Sequence, residues 1–162
     1  MKLGVSAGSI SLLVAAAAVA AAVPFAITLP TGFQDFTNQV QKATSPQGVI
    51  ETSKWIARAP DGQAVIVSIS HMPGPILNPD TLIVSTRNAL AKSIKANVER
   101  EEKIAGSASA RRVFMHGNGA FLRLRLFTTG DRLVQLVYVA RSENQRGSAA
   151  VDQMFGSFAL AP

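Results

Sequence analysis

The residues able to do chemistry are few and scattered. His71 and His116 are the only histidines and there is no cysteine, so no local motif assembles a structural zinc site or a thiolate nucleophile. Gly4-Val5-Ser6-Ala7-Gly8 matches the G-x-S-x-G elbow that exposes a nucleophilic serine between a strand and a helix. No strand pattern precedes it and it falls within a leader segment, so the match reads as chance. Gly117-Asn118-Gly119 opens like a dinucleotide loop, but Leu122 stands at the third glycine position. A strand pattern follows where a helix N-terminus would have to hold the pyrophosphate, which makes this a hairpin turn. Asp35, Asp61, Asp80 and Asp131 fall in turns or caps. With no convergent acid, base and nucleophile, the sequence argues against an enzyme and calls for no cofactor or metal.

The one suggestive constellation is basic. From Phe121 to Phe127 the residues alternate, with Leu122, Leu124 and Leu126 on one face and Phe121, Arg123, Arg125 and Phe127 on the other. An arginine pair flanked by aromatics on a sheet suits an acidic protein surface, an anionic lipid or a nucleic acid. The same pattern arises when arginine stems simply lie over helix side chains. From Lys103 onward there are eight Lys or Arg against Asp131, Glu143 and Asp152, a net charge of +5 for that half. No aromatic motif of the RNA-recognition type occurs, so nucleic acid is not expected. The expected partner is an envelope protein or an anionic envelope component, contacted through the basic face of Arg123, Arg125, Phe121 and Phe127 or through adjoining loops.

The compartment follows from the N-terminus. After Lys2 the chain is uncharged as far as Gln34, with an alanine-dominated apolar run from Leu12 to Val23. This is the pattern of a secretory leader, and Ala20-Ala21-Ala22 supplies the small residues a signal peptidase needs. Cleavage after residue 22 would give a mature chain from Val23 and an exported protein, periplasmic or extracellular. An uncleaved run would instead anchor the chain in a membrane. Lys2 is the only charged residue in the leader, so net charge falls only from +6 to +5 on its removal. Residues 23–162 are a length typical of a single domain with one core. Lacking cysteine, that domain is held together by packing alone.

The elements that must carry these residues read as follows. Phe25 to Leu29 is a short strand stopped by Pro30. Phe33, Phe36 and Val40 fall at helical spacing and predict a brief helix. Val49 to Ala59 and Gln63 to Met72 are two strands about the turn Pro60-Asp61-Gly62. Asn78-Pro79-Asp80 is a helix start, and the periodicity predicts one helix from Pro79 to Val98. Glu99 to Glu102 reads as a solvated charge run and Lys103 to Gly106 as a short strand. Arg111 to His116, Phe121 to Phe127 and the return strand through Tyr138 form an antiparallel meander, turning at Gly117-Asn118-Gly119 and at Thr128-Thr129-Gly130-Asp131. The return strand is apolar on both faces and so belongs at the centre of the sheet. Asn144 to Phe155 predicts a second helix. Runs of strands separated by single helices give an α+β class, an antiparallel sheet between helices in an α/β/α sandwich.

With the elements placed, the chain resembles the PsbP-like superfamily, a fold also used by Ran-binding Mog proteins and some mycobacterial envelope lipoproteins. The similarity rests on Phe25-Ala26-Ile27-Thr28-Leu29-Pro30-Thr31-Gly32-Phe33, on the long helix after a hairpin, on Gly119-Ala120 leading the meander, and on the closing Val151-Asp152-Gln153-Met154-Phe155-Gly156-Ser157-Phe158. It implies a fold more than a function, since members resemble non-enzymatic binding or assembly factors whose partners differ widely; joined to the leader pattern, the expectation is an exported binding or assembly factor of the envelope. No motif here carries over photosystem binding, calcium or manganese sites, or Ran binding, and the lipid-attachment cysteine of the envelope lipoproteins is missing. The competing reading is a carrier holding a small molecule or lipid between the sheet and the Pro79 to Val98 helix.

Overall fold

A computed structural model describes residues 23–162 apart from 108; the expected signal peptide lies outside the described residues. Nine strands and three helices follow in order: β1 (Phe25–Ala26), β2 (Thr37–Ser45), β3 (Gly48–Arg58), β4 (Ala64–His71), α1 (Pro79–Ser93), β5 (Asn97–Lys103), β6 (Arg111–Gly117), β7 (Ala120–Thr129), β8 (Arg132–Ala140), α2 (Glu143–Arg146), α3 (Ala149–Ser157) and β9 (Ala159–Leu160). Seven strands form one antiparallel sheet in the order β2-β3-β4-β8-β7-β6-β5, and β1 pairs with β9 separately. Strand β8 lies at the middle, as its two apolar faces predict.

Each face of the sheet carries its own core. On one side, Ile83 of α1 seats among Val113, Met115, Leu122, Leu124, Leu126, Leu133 and Val137. On the other, α3 and the β1/β9 pair bring Phe25, Val151, Met154, Phe155 and Phe158 down onto Trp55, Val65, Val67, Val134, Leu136 and Tyr138. Phe25 anchors that side, with Phe36, Trp55 and Phe158 ring centroids at 5.4, 5.3 and 5.7 Å.

Four local expectations are corrected. Residues 33–40 are not a helix. Phe33 and Phe36 pack on the core from an irregular segment, and the chain then becomes β2, because the β-branched Thr37, Val40 and Thr44 pair along the open edge of β3. Helix α1 ends at Ser93 and not at Val98. Lys95 turns left-handed at φ 52°, and the Ala96 N–H folds back to the Ala91 carbonyl at 2.9 Å. Gly117 permits that reversal, since a Cβ there would lie 2.4 Å from the Ala96 Cα, and the Asn118 side chain donates to the Ile94 carbonyl at 2.8 Å. The charge run Glu99 to Glu102 is part of β5, because it completes the edge of β6; the strand stops at Lys103 and does not continue to Gly106. The second helix is broken at Gly147 into α2 and α3, capped by the hydroxyls of Ser142 and Ser148.

Because Phe25 meets three aromatic rings from distant parts of the chain, Phe25→Ala is expected to destabilise the fold by about 3–5 kcal/mol. Urea unfolding followed by the fluorescence of Trp55, the sole tryptophan, measures this.

Candidate functional site

The pairing register decides which side chains share the face of Arg123 and Arg125. Phe114 stands opposite Arg123, Arg112 opposite Arg125 and His116 opposite Phe121. Strand β5 adds Arg100 and Glu102 beside Phe114 and Arg112. Arg100, Arg112, Arg123 and Arg125 thereby come together over one end of the sheet, and Arg146 of α2, which lies across them with α3, makes five.

Phe114 is the floor of this cluster. The guanidinium of Arg100 sits 4.0 Å from its ring centroid, that of Arg146 5.4 Å and that of Arg123 5.7 Å. Each such contact is favourable by about 0.5–2 kcal/mol, more where water is excluded. Arg146 is buried, donating from Nη1 to Glu99 at 2.6 Å and to the Met115 carbonyl at 3.1 Å, and from Nη2 to Glu143 at 3.1 Å. Glu99, Arg100, Phe114, Glu143, Arg146 and Gly147 line a cleft of about 410 Å³ at this point.

Arg123 is closed over. It is only 6% exposed, with its Nη1 on Asp152 of α3 at 2.5 Å and its guanidinium 4.6 Å from the Phe155 ring. The expectation of an open arginine pair therefore splits. Arg123 belongs to the seam between sheet and helix, because the apolar side of α3 must cover β7 to bury Phe155.

Arg125 differs. Arg100 and Arg112 reach Glu102, Arg123 reaches Asp152, and Arg146 reaches Glu99 and Glu143. Among the described residues Arg125 has no carboxylate, and that is what sets it apart; its buried Nε has no hydrogen-bond partner, but neither has the Nε of Arg123. Its guanidinium lies 5.2 Å from the Phe127 ring, and it joins Ile104, Arg112 and Phe155 around a small cavity of about 130 Å³. Phe121 and Phe127 are both partly buried against the core under α3. Arg112 stands directly opposite Arg125 with Glu102 as its counter-ion at 3.2 Å, so of the two facing arginines only Arg125 lacks one.

The remaining chemical groups are accounted for by structure. Tyr138 is buried, and its hydroxyl donates to the side-chain amide oxygen of Gln63. Burial, aided by the negative charge of Asp61, raises its pKa above the ordinary 10.0. Asp61 is held below its usual value by the side-chain and backbone N–H groups of Gln63. A tyrosine kept protonated is a hydrogen-bond donor and no nucleophile. His71 lies 3.9 Å from Asp131 with both groups half exposed, and His116 stacks on Phe121 at 4.1 Å. Among the described residues no three His, Cys, Asp or Glu gather closely enough to hold a metal.

The space expected between the sheet and α1 is filled by Ile83 and its neighbours. An apolar cleft of about 460 Å³ opens instead at the start of that helix, lined chiefly by Ile50, Met72, Pro73, Ile76, Leu77 and Leu82. No described helix is long and apolar enough to cross a membrane.

No protein-family model and no curated protein matches the chain. Among solved structures it is similar to the solution structure of cyanobacterial PsbP (CyanoP) from Synechocystis sp. PCC 6803, with a TM-score of 0.52 over 94% of this chain and 98% of that one. The fold is PsbP-like. The resemblance read from the short motifs is thus one of architecture, and at 12% identity it transfers no site residue. Arg112, Phe114, Arg146 and Asp152 were absent from the sequence reading of this face. The first two were accessible to it: continuing the alternation through the Gly117-Asn118-Gly119 turn places them opposite Arg125 and Arg123. Nothing local marks Arg146 or Asp152.

Two outcomes check this geometry. Asp152→Ala, which leaves Arg123 buried without its carboxylate, should lower stability by about 1–3 kcal/mol, whereas Arg123→Met should cost less than about 1 kcal/mol because an apolar side chain of similar length fills the seam. Equilibrium denaturation of both variants distinguishes them. In a spectrophotometric titration, Tyr138, the sole tyrosine, should ionise above its ordinary 10.0. The sign follows: its contribution to stability is fully present below the unfolded-state value and is lost as pH rises through the folded-state value.

Proposed function

We propose that this protein is an exported, non-catalytic binding or assembly factor of the cell envelope that captures an anionic group of its partner at Arg125. The single observation carrying this reading is that Arg125, alone among the five arginines of its face, lacks a carboxylate among the described residues. Arg112 stands directly across from it. Arg112 already has Glu102, so a partner carboxylate or anionic headgroup beside Arg125 would supply the one missing counter-ion and an acceptor for its Nε. Phe127 and Ile104 beside them supply apolar contact. The PsbP-like fold, the leader pattern and the lack of converging catalytic groups all favour a binding role. Arg123 takes part by positioning: its bond to Asp152 holds α3, and with it Phe155, at the edge of the cavity.

A second reading rests on the apolar cleft at the start of α1, where a carrier would hold a small neutral or lipid-like molecule. Its lining includes Leu77, which is 83% exposed.

Capture from a native envelope extract, comparing wild type with Arg125→Glu, decides between them. Arg125→Glu should retain the wild-type circular dichroism and lose the captured component, and wild-type capture should weaken as salt is raised. Capture unchanged in the variant, or native mass spectrometry showing a co-purifying small molecule indifferent to it, would overturn the basic-face reading in favour of the carrier.

A further inference from the structure

The two edges of the sheet are treated in opposite ways. Strand β5 carries Glu99, Arg100, Glu101, Glu102 and Lys103 and is interrupted by a register shift between Val98 and Arg100. Charges and bulges of this kind prevent a free edge from recruiting another strand. Strand β2 has no bulge and a single charge. Its nine residues, Thr37–Ser45, pair with β3 without interruption, carry no proline or glycine, and include Lys42 as their only charge. Eight of the nine are exposed, and none belongs to either hydrophobic core.

The backbone of β2 is directed outward at alternate residues, and the register shows which. The Ala59 N–H bonds to the Gln63 carbonyl at 3.0 Å, so the odd-numbered residues of β3 exchange hydrogen bonds with β4 and the even-numbered ones with β2. The partners of those even residues are Thr37, Gln39, Gln41, Ala43 and Ser45. Asn38, Val40, Lys42 and Thr44 therefore turn their N–H and C=O groups away from the sheet.

We propose that two copies of this chain join edge to edge through β2, antiparallel about a two-fold axis at Gln41, so that the two sheets become one. In that register Thr37 meets the second copy's Ser45, Asn38 meets its Thr44, Val40 its Lys42, and Gln41 its own counterpart. The four outward residues then pair only with one another, so every outward backbone group finds a partner. Neither lysine faces a lysine, and each is already neutralised by Glu51 of its own β3 at 3.0 Å. The apolar stem of Lys42 covers the second copy's Val40, which is 54% exposed in the single chain. A strand edge alone is smaller than the surface of an obligate dimer, so association is concentration-dependent.

Substitution at the axis tests this, because Gln41 is exposed and meets itself. Light scattering and sedimentation over a concentration series of the full chain should show a reversible monomer–dimer equilibrium. Gln41→Lys and Gln41→Glu, each alone, should raise the dissociation constant about fivefold by placing like charges together. An equimolar mixture of the two should recover dimerisation at least as strong as wild type, with Trp55 fluorescence unchanged throughout. A wild type that stays monomeric over the series, which includes the case where β2 serves a strand from a different protein, overturns the proposal. So does dimerisation indifferent to either single substitution, or a mixture that fails to recover it.

Discussion

The pairing of β4 with β8 joins two halves that are otherwise local. Strands β2 to β4 form one meander and β5 to β8 another, each closed by short turns; only the run from Ala64↔Val139 to His71↔Arg132 makes them a single sheet. Those two strands are buried on both faces for most of their length, with Val65, Val67, Ile69, Val134, Leu136 and Tyr138 toward α3, and Leu133 and Val137 toward α1. Their pairing bridges about half the described chain, so its loop-closure entropy has to be offset by this two-sided burial. The helical layers, in turn, have a floor only because the two meanders meet.

A consequence of that central placement is that β7, next to β8, is also covered on both sides, although one of its faces carries arginines. A buried guanidinium must find acceptors or suffer a large desolvation penalty. Asp152 comes to Arg123 from α3, and Glu99 and Glu143 come to Arg146 from β5 and α2. The same requirement operates on the opposite face, where buried Arg111 is held by Asp80 at the start of α1 and by Glu101 of β5, with Arg87 of α1 also on Glu101. The charge run of β5 is thus a source of counter-ions for both faces as well as a protected edge. Arg125, on the same face but only half-buried, is under a weaker form of that requirement and keeps no carboxylate among the described residues.

The PsbP-like architecture itself is compatible with many partners. A likeness of 12% identity to the cyanobacterial PsbP structure concerns the path of the chain and not the chemistry of its surface. The arginine face and the contrast between the two sheet edges therefore rest on this chain's own residues.

The sequence by itself determined the antiparallel meander, its two turns, the central strand, the start of the long helix and the α+β class, because alternation, capping and glycine turns are local signals. It also carried the Arg123 and Arg125 face and the PsbP-like resemblance. It misread residues 33–40 as a helix, since apolar spacing over so short a stretch does not outweigh the open edge of β3. It ran α1 past Ser93, since the reversal depends on Gly117 receiving Ala96 across the fold. Only the tertiary structure decided that Arg123 lies beneath α3 while Arg125 keeps no carboxylate. Both arginines have the same type and alternate on the same strand face; what separates them is which residue of a distant helix the packing of Phe155 brings within reach.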